Sequence, residues 1–450
     1  MGTKHQSSDP ITDPKKKRRV GFAKIDAGVE SNECIKIFLV SSKEEVDSPD
    51  SFCIEPVDLT HFFEEDGKIY GYQGLKITVW VSSISFHAYA DITFESTSDN
   101  IFGENLVEKK DDFLQTFSTD CHYIKSIVSN GELLQQKASK GCSGASNCHI
   151  RSESSDMEVF RIVGEPVGHL YCRLVPFVLL LVDGSNPIDI TDSRWEIYLL
   201  VHKESNQPED SALRLLGFAA VYRFQRYPDS MRLRLGQILV LPPYQRKGHG
   251  RFLLEVLNNV AISENVFDLT VEEPVDSLQH VRTCVDAQRL LAFEPIQDAL
   301  QSVVLRLKQE NLSKKSHTCQ FGPPLTAVED VRQSLKINKR QFLQCWEVLL
   351  YIGLDPIENY METYRTIISD RIKADVIGKD SEVARKRVID VPTEYDQEMS
   401  FVMFKSQNGE PNTIEMEDNQ TNQEEQVRQL VDERIKEVKS IAQKESLHRS

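Results

Sequence analysis

The stretch GQILVLPPYQRKGHGRFLLEVL, Gly236 to Leu257, decides how the middle of this 450-residue chain folds. An apolar run over 238–241 reads as a buried strand, and Pro242 and Pro243 stop it, because proline lacks the N–H that a central ladder needs. The chain therefore leaves a sheet there. Gln245, Arg246, Lys247, Gly248, His249 and Gly250 form a short loop that opens into a helix over 248–261, with Phe252, Leu253, Val256, Leu257 and Val260 on one face. Free N–H groups and the dipole at a helix start make an anion site, and glycines let a bulky phosphate approach the backbone. Arg246, Lys247 and Arg251 add positive charge. The spacing is neither the dinucleotide fingerprint G-x-G-x-x-G nor the P-loop G-x-x-x-x-G-K-[ST].

Outward from this stretch, strands are expected over 195–201, 216–224 and 233–241, then the loop helix, a strand over 266–271 and a helix over 278–291. The strand FDLTVEEP, Phe267 to Pro274, ends in two carboxylates. A lysine amine acts as a nucleophile only when neutral, whereas its ammonium, with a pKa of about 10.4, is charged at pH 7. A general base is therefore useful, and a carboxylate also attracts the incoming cation. Successive strand residues face opposite sides, so Glu272 and Glu273 share one cleft only if the strand bends. Cys284 lies in an apolar helical pattern and is read as core.

Further out, residues 32–185 read as an N-terminal α/β domain of their own. Leu75, Ile77, Val79 and Val81 alternate with Lys76, Thr78 and Trp80 as in a half-buried strand, after the turn glycines Gly71 and Gly74. Residues 186–312 read as a central domain of alternating strands and helices and 313–404 as a helical domain with Phe342, Trp346, Leu349 and Leu350 at core spacing. An acidic linker at 405–426 precedes a terminal amphipathic helix at 427–450, with Val427, Leu430, Val431, Ile435, Val438 and Ile441 on one stripe. Whether that helix packs on the body or on a partner is left open. Residues 1–31 are a polar, disordered extension carrying Lys15, Lys16, Lys17, Arg18 and Arg19, a run of the kind read as a nuclear import address.

Composition excludes other classes. Lys and Arg total 53 against 69 Asp and Glu, a formal charge of −16, so direct nucleic-acid or anionic-lipid binding is not expected and basic peptides are natural ligands. The longest apolar stretch, over 174–182, contains Pro176 and falls far short of the roughly 20 residues of a membrane helix. Nine scattered cysteines fit a reducing compartment rather than a disulfide scaffold. Cys142, Cys148 and His149 lack a second ligand pair, so no metal is expected.

The Q-x-x-G-x-G spacing resembles the acyl-CoA pyrophosphate loop of the GCN5-related N-acetyltransferase superfamily. With YGYQGLKI (Tyr70 to Ile77), DSRW (Asp192 to Trp195), AVYRFQRYPD (Ala220 to Asp229) and LTVEEP in the same order, the chain resembles the catalytic subunit of type B histone acetyltransferases from about Cys34 to its C-terminus. The resemblance implies an α+β and α/β architecture with a mixed sheet flanked by helices, acetyl-CoA as co-substrate and histone four tail lysines as acceptors. It implies that Ile238, Leu239 and Val240 lie along the acetyl and pantetheine arm and that residues Gln245 to Arg251 hold the pyrophosphate. Glu272 matches the general base, and Glu273 and Asp183 are further catalytic candidates, Asp183 standing where the family carries a glutamate. Trp195 matches an aromatic at the lysine channel, Tyr222, Arg223 and Phe224 a strip touching the tail, and Asp66 falls near another tail-contacting loop. A WD40-type histone chaperone is the implied partner, and nucleus and cytoplasm the implied locations. Two other readings stand beside this one. The first is an acetyltransferase for another protein or a polyamine, and the second a histone-binding adaptor without catalysis.

Overall fold

A computed structural model describes residues 28–56, 59, 67–97, 110–119, 123–129, 131–134, 157–182, 184–203, 213–309, 321–354, 358–376 and 413–447. The chain divides into two compact units: Met1–Asn130 with Glu165–Ile188 and Lys203–Leu215, and Gly131–Gly164 with Asp189–His202 and Leu216–Ser450.

The first unit is built on a four-stranded sheet, in the order Phe52–Ile54, Ile35–Val40, Lys76–Ser82, Ala88–Thr93. Ile35–Val40 and Lys76–Ser82 run parallel and the outer pairings are antiparallel. The alternation over 75–81 gives the strand, and Leu75 and Val81 of its apolar set are buried. Trp80, counted among the outward residues, is buried and stacks between Phe38 and Tyr89, at centroid distances of 6.5 and 5.5 Å. Both faces of this strand are thus covered toward its C-terminal end. The apolar run over 174–182 belongs to the helix Glu165–Leu181, which keeps Pro176 inside it and buries Leu170, Tyr171, Leu174, Phe177 and Val178.

The second unit carries the stretch Gly236 to Leu257. Its six-stranded sheet has the order Leu269–Val271, Ser230–Val240, Leu213–Arg226, Trp195–Lys203, Met157–Ile162, Glu132–Leu134. Ser230–Val240 and Leu269–Val271 are parallel, joined through the helix His249–Ser263, as a crossover between parallel strands requires. That helix buries Leu253, Leu254, Val256, Leu257, Val260 and Ala261 in one core with Leu216, Ala219, Val221, Leu233 and Leu235. The observed mixed α/β class is the one read from the sequence. The division is not: Glu132–Leu134 and Met157–Ile162, placed by sequence in the N-terminal domain, extend the central sheet. The polar stretch between them hides their pairing, because strand neighbours need not be neighbours in sequence.

The helices Asp276–Leu291, Gln297–Gln309, Leu325–Leu335, Lys339–Leu354, Glu358–Val376 and Thr413–Leu447 share a further core, so the helical region read at 313–404 is continuous with the end of the catalytic region. Cys284 is buried there, as expected of a core residue. The terminal helix begins at Thr413, inside the stretch read as a linker, and packs on the body: Val427, Val431, Ile435, Val438 and Ile441 are buried, and Arg434 donates to Glu347 Oε2 at 2.9 Å and to the Gln344 carbonyl at 3.0 Å. Leu430, counted on the same stripe, is exposed instead. No helix among the described residues is long and apolar enough to cross a membrane. The basic run at 15–19 lies outside the described residues.

Candidate active site

Strand Ser230–Val240 organises the site. Its pairing with Leu213–Arg226 shifts register between Ala220, opposite Gln237, and Val221, opposite Leu235, so Gly236 is the extra residue of a β-bulge. On its other side the strand pairs with Leu269–Val271 only from Leu233 to Leu235, and Glu272 N–H closes the ladder on the Leu235 carbonyl at 2.9 Å. From Gly236 onward the two parallel strands part. Leu241 N–H donates to Leu216 O at 2.9 Å, so the antiparallel alternation turns the N–H and C=O groups of Ile238 and Val240 toward the opposite, unpaired edge. The Val240 carbonyl accepts the Gln245 side-chain amide there at 2.9 Å. Gln245 is thus tied to the strand by its side chain, on the same edge as the cleft.

Gly236 is where the chemistry converges. A Cβ placed on it would lie 3.0 Å from Cη2 of Trp195 and 3.7 Å from Oε2 of Glu272. The indole contact is tighter than a Cβ ordinarily meets, so a side chain here would make the ring give by a few tenths of an ångström, whereas the carboxylate would stay in ordinary contact. Glu272 itself follows the last strand residue, Val271, and is half-exposed. Its neighbour Glu273 has φ +33° and is exposed, and of the pair it is Glu272 that lies near Gly236.

A row of aromatic rings continues from Trp195. Its ring centroid is 5.0 Å from Tyr222, and Tyr222 is 5.9 Å from Phe224, both edge-on. Arg194 covers Tyr222 at 4.9 Å and Arg234 covers Phe224 at 5.1 Å. Arg234 Nη1 also lies 3.8 Å from Glu272 Oε1, so the row ends at the same carboxylate where it begins. Tyr222 donates its hydroxyl to Asp192 at 3.0 Å, and Asp192 is held by Arg194 through contacts of 2.9 and 2.7 Å. The Arg194 side-chain hydrogen bonds hold the Asp192 carboxyl well below the usual carboxylate range. Asp192, Arg194, Arg234 and Gly236 are site residues that the sequence reading did not single out. Three were inside quoted blocks or next to them, but pair spacing alone says nothing about which strands meet.

Arg223 points elsewhere. Strand alternation sends it to the face opposite Tyr222 and Phe224, where its guanidinium pairs with Glu196, whose side chain is 6% exposed, and with Glu264 at 2.5 Å. Arg161 meets the same Glu264 and also Glu132 at 2.6 Å, and Glu196 accepts the Tyr198 hydroxyl at 2.8 Å. Burial pushes the Tyr198 phenol well above its ordinary value. Arg223 is therefore part of an ion network beneath the aromatic row.

The loop over 245–251 forms as its glycines suggest. Arg246 has φ +59° and Gly248 φ +89°, and space is open around the Gly248 Cβ position. Helix His249–Ser263 starts without a side-chain cap and without an acidic residue in its first turn, leaving its initial N–H groups for an anion. Arg246 and Lys247 are exposed beside it. Arg251 turns away, to Glu255 at 2.8 Å and to Gln288. His249 lies at the helix start with a buried Nδ1 that lacks a hydrogen-bond partner, and burial, then Lys247 and His202, push its pKa down.

The residues present fit a thioester ligand with a diphosphate: an open strand edge of amides at Ile238 and Val240, then an uncapped helix start flanked by cations. Among the described residues no group of three or more His, Cys, Asp or Glu could hold a metal ion. Cys142, Cys148 and His149, and the candidates Asp66 and Asp183, lie outside the described residues.

Comparison with known proteins agrees with this chemistry. The family model described as histone acetyl transferase HAT1 N-terminus matches residues 27–183. A histone acetyltransferase type B catalytic subunit of Arabidopsis thaliana is 54% identical over 98% of this chain and 97% of its own length. The chain belongs to the family of type B histone acetyltransferase catalytic subunits. It is thus an acetyltransferase. The family's Zea mays member is 47% identical over 98% of this chain and 96% of its own, and the Rattus norvegicus member 24% identical over 92% and 93%. Among solved structures, an aminoglycoside acetyltransferase from an uncultured soil metagenomic sample is 14% identical, with a TM-score of 0.21, covering 36% of this chain and 92% of that one. The assignment rests on the full-length relatives.

Proposed function

We propose that the protein transfers acetyl from acetyl-CoA to lysine side chains in the N-terminal tail of newly synthesised, soluble histone four. The observation that carries this reading is the meeting of Trp195 and Glu272 over Gly236, beside the edge where two parallel strands part. In this reading acetyl-CoA supplies an activated acyl thioester. Backbone groups of Ile238 hold its arm, and the start of helix His249–Ser263, with Arg246 and Lys247, holds its diphosphate.

The peptide lysine enters along Phe224, Tyr222 and Trp195, whose rings shield its methylenes and attract its ammonium. Glu272, directly or through water, takes one proton from that ammonium. The neutral amine attacks the thioester carbonyl in a ternary complex, forming the amide C–N bond as the C–S bond breaks. The Val240 N–H, turned to the open edge, stabilises the negative charge that develops on the carbonyl oxygen, and coenzyme A leaves as thiolate or thiol. No cysteine acts as a nucleophile; Cys284 is buried in the helical core. Glu273 and Asp183 remain secondary candidates for proton transfer, and a WD40-type histone chaperone and a nuclear and cytoplasmic distribution complete the proposal.

The test is incubation of the full chain with acetyl-CoA and a panel of histone tail peptides, polyamines and unrelated lysine peptides, read by mass spectrometry. Preferential transfer to the histone four tail supports the reading. Transfer to polyamines or to unrelated peptides alone replaces the substrate, and binding of histone peptide without turnover makes the chain an adaptor.

A further inference from the structure

We propose that the groove between helices Glu358–Val376 and Thr413–Leu447 docks an acidic peptide segment of a partner protein. Arg365, Ser369 and Lys373 line it from the first helix, and Val427, Arg428 and Val431 from the second. Residues 365, 369 and 373 are spaced by four, which sets them on one stripe; at 1.5 Å per residue the two cations stand about 12 Å apart along the axis. An extended peptide covers that span in roughly four residues. Val427 and Val431, 4% and 3% exposed, belong to the helical core and close the bottom of the groove, so its accessible surface is that of the polar and cationic side chains.

The charge pattern selects the occupant. Arg365 is paired with Asp432, but both side chains are about half-exposed, at 52% and 51%, so the pair is screened by water and readily exchanged for an incoming carboxylate. Lys373 and Arg428 are paired with no described carboxylate. Three cations converge here on a chain whose formal charge is −16. A nucleic acid would extend beyond so small a patch into that negative field, whereas an acidic segment of about four residues places its charges on the patch alone.

The experiment measures binding of a fluorescein-labelled, glutamate-rich peptide to the full chain by anisotropy. The triple variant Arg365→Glu, Lys373→Glu, Arg428→Glu reverses the walls, and Ser369→Trp fills the groove without changing its charge. The expected result is about tenfold weaker binding in each variant, weaker binding of the wild type as salt rises from about 50 to about 200 mM, and unchanged acetyl transfer. Three results overturn the proposal: equal binding by wild type and both variants, loss of binding only when the cations at 15–19 are neutralised, or tighter groove binding of a single-stranded oligonucleotide than of the peptide.

Discussion

The Trp195 indole and the Glu272 carboxylate converge on one backbone position, coming within 3.0 and 3.7 Å of where a Cβ on Gly236 would stand. The site depends on that missing side chain. Gly236→Ala should preserve the fold while making the indole give by a few tenths of an ångström, a smaller misplacement than the ~1 Å that costs on the order of 100-fold, so the expected effect is a several-fold fall in kcat. Steady-state kinetics, with circular dichroism as the fold control, check this; an alanine variant with wild-type kcat would show that the close approach is dispensable.

Tyr222→Phe removes the hydroxyl that donates to Asp192 and leaves the ring in the aromatic row. Arg194 still holds the Asp192 carboxylate, so the expected effect is a several-fold rise in KM for the peptide with kcat retained. Tyr222→Ala, which also removes the ring, should raise KM further. Peptide titrations at saturating acetyl-CoA distinguish the two.

Arg223→Gln leaves Glu196 buried without its guanidinium. Breaking a buried pair costs roughly 3 kcal/mol, most of it the uncompensated charge. The melting temperature should fall by several degrees, and the peptide KM of the surviving folded protein should change little, because Arg223 faces away from the aromatic row. A large KM change with an unaltered melting temperature would return Arg223 to the substrate surface.

His249 and His280 both have pKa values pushed below the ordinary 6.5, in each case first by burial and then by a nearby lysine, Lys247 or Lys444. Lys444 also contacts His280 Nε2 at 2.7 Å. Between the lowered folded value and about 6.5 the unfolded chain binds more protons, so stability rises with pH in that window. The contribution is fully present above about 6.5 and is lost as the pH falls through the folded values. Thermal melts from about pH 7.5 to 5.5 should show the decline, and His280→Gln should reduce it.

Much of the site was legible because its chemistry is local in sequence. The prolines that end the strand, the glycines of the loop and the apolar stripe of the helix lie within 22 residues, and the strand, loop and helix form where that order requires. Glu272 was legible from the end of the next strand. What escaped depends on pairing across the sheet. The bulge at Gly236 is invisible in a strand that alternates regularly, and it is the bulge that sets the Trp195 to Glu272 approach. Arg223 was grouped with Tyr222 and Phe224 by position, although strand parity sends it to the other face. Strands Glu132–Leu134 and Met157–Ile162 were assigned by proximity in sequence, and hydrogen bonding placed them in the other sheet.

The role of Glu272 bears the whole mechanistic proposal, and steady-state kinetics of Glu272→Gln on a histone four tail peptide test it most directly. The account predicts a fall in kcat on the order of 100-fold or more, with KM for acetyl-CoA unchanged, because the amide keeps the shape of the side chain and cannot take the ammonium proton. A variant whose kcat stays within about twofold of wild type would contradict it.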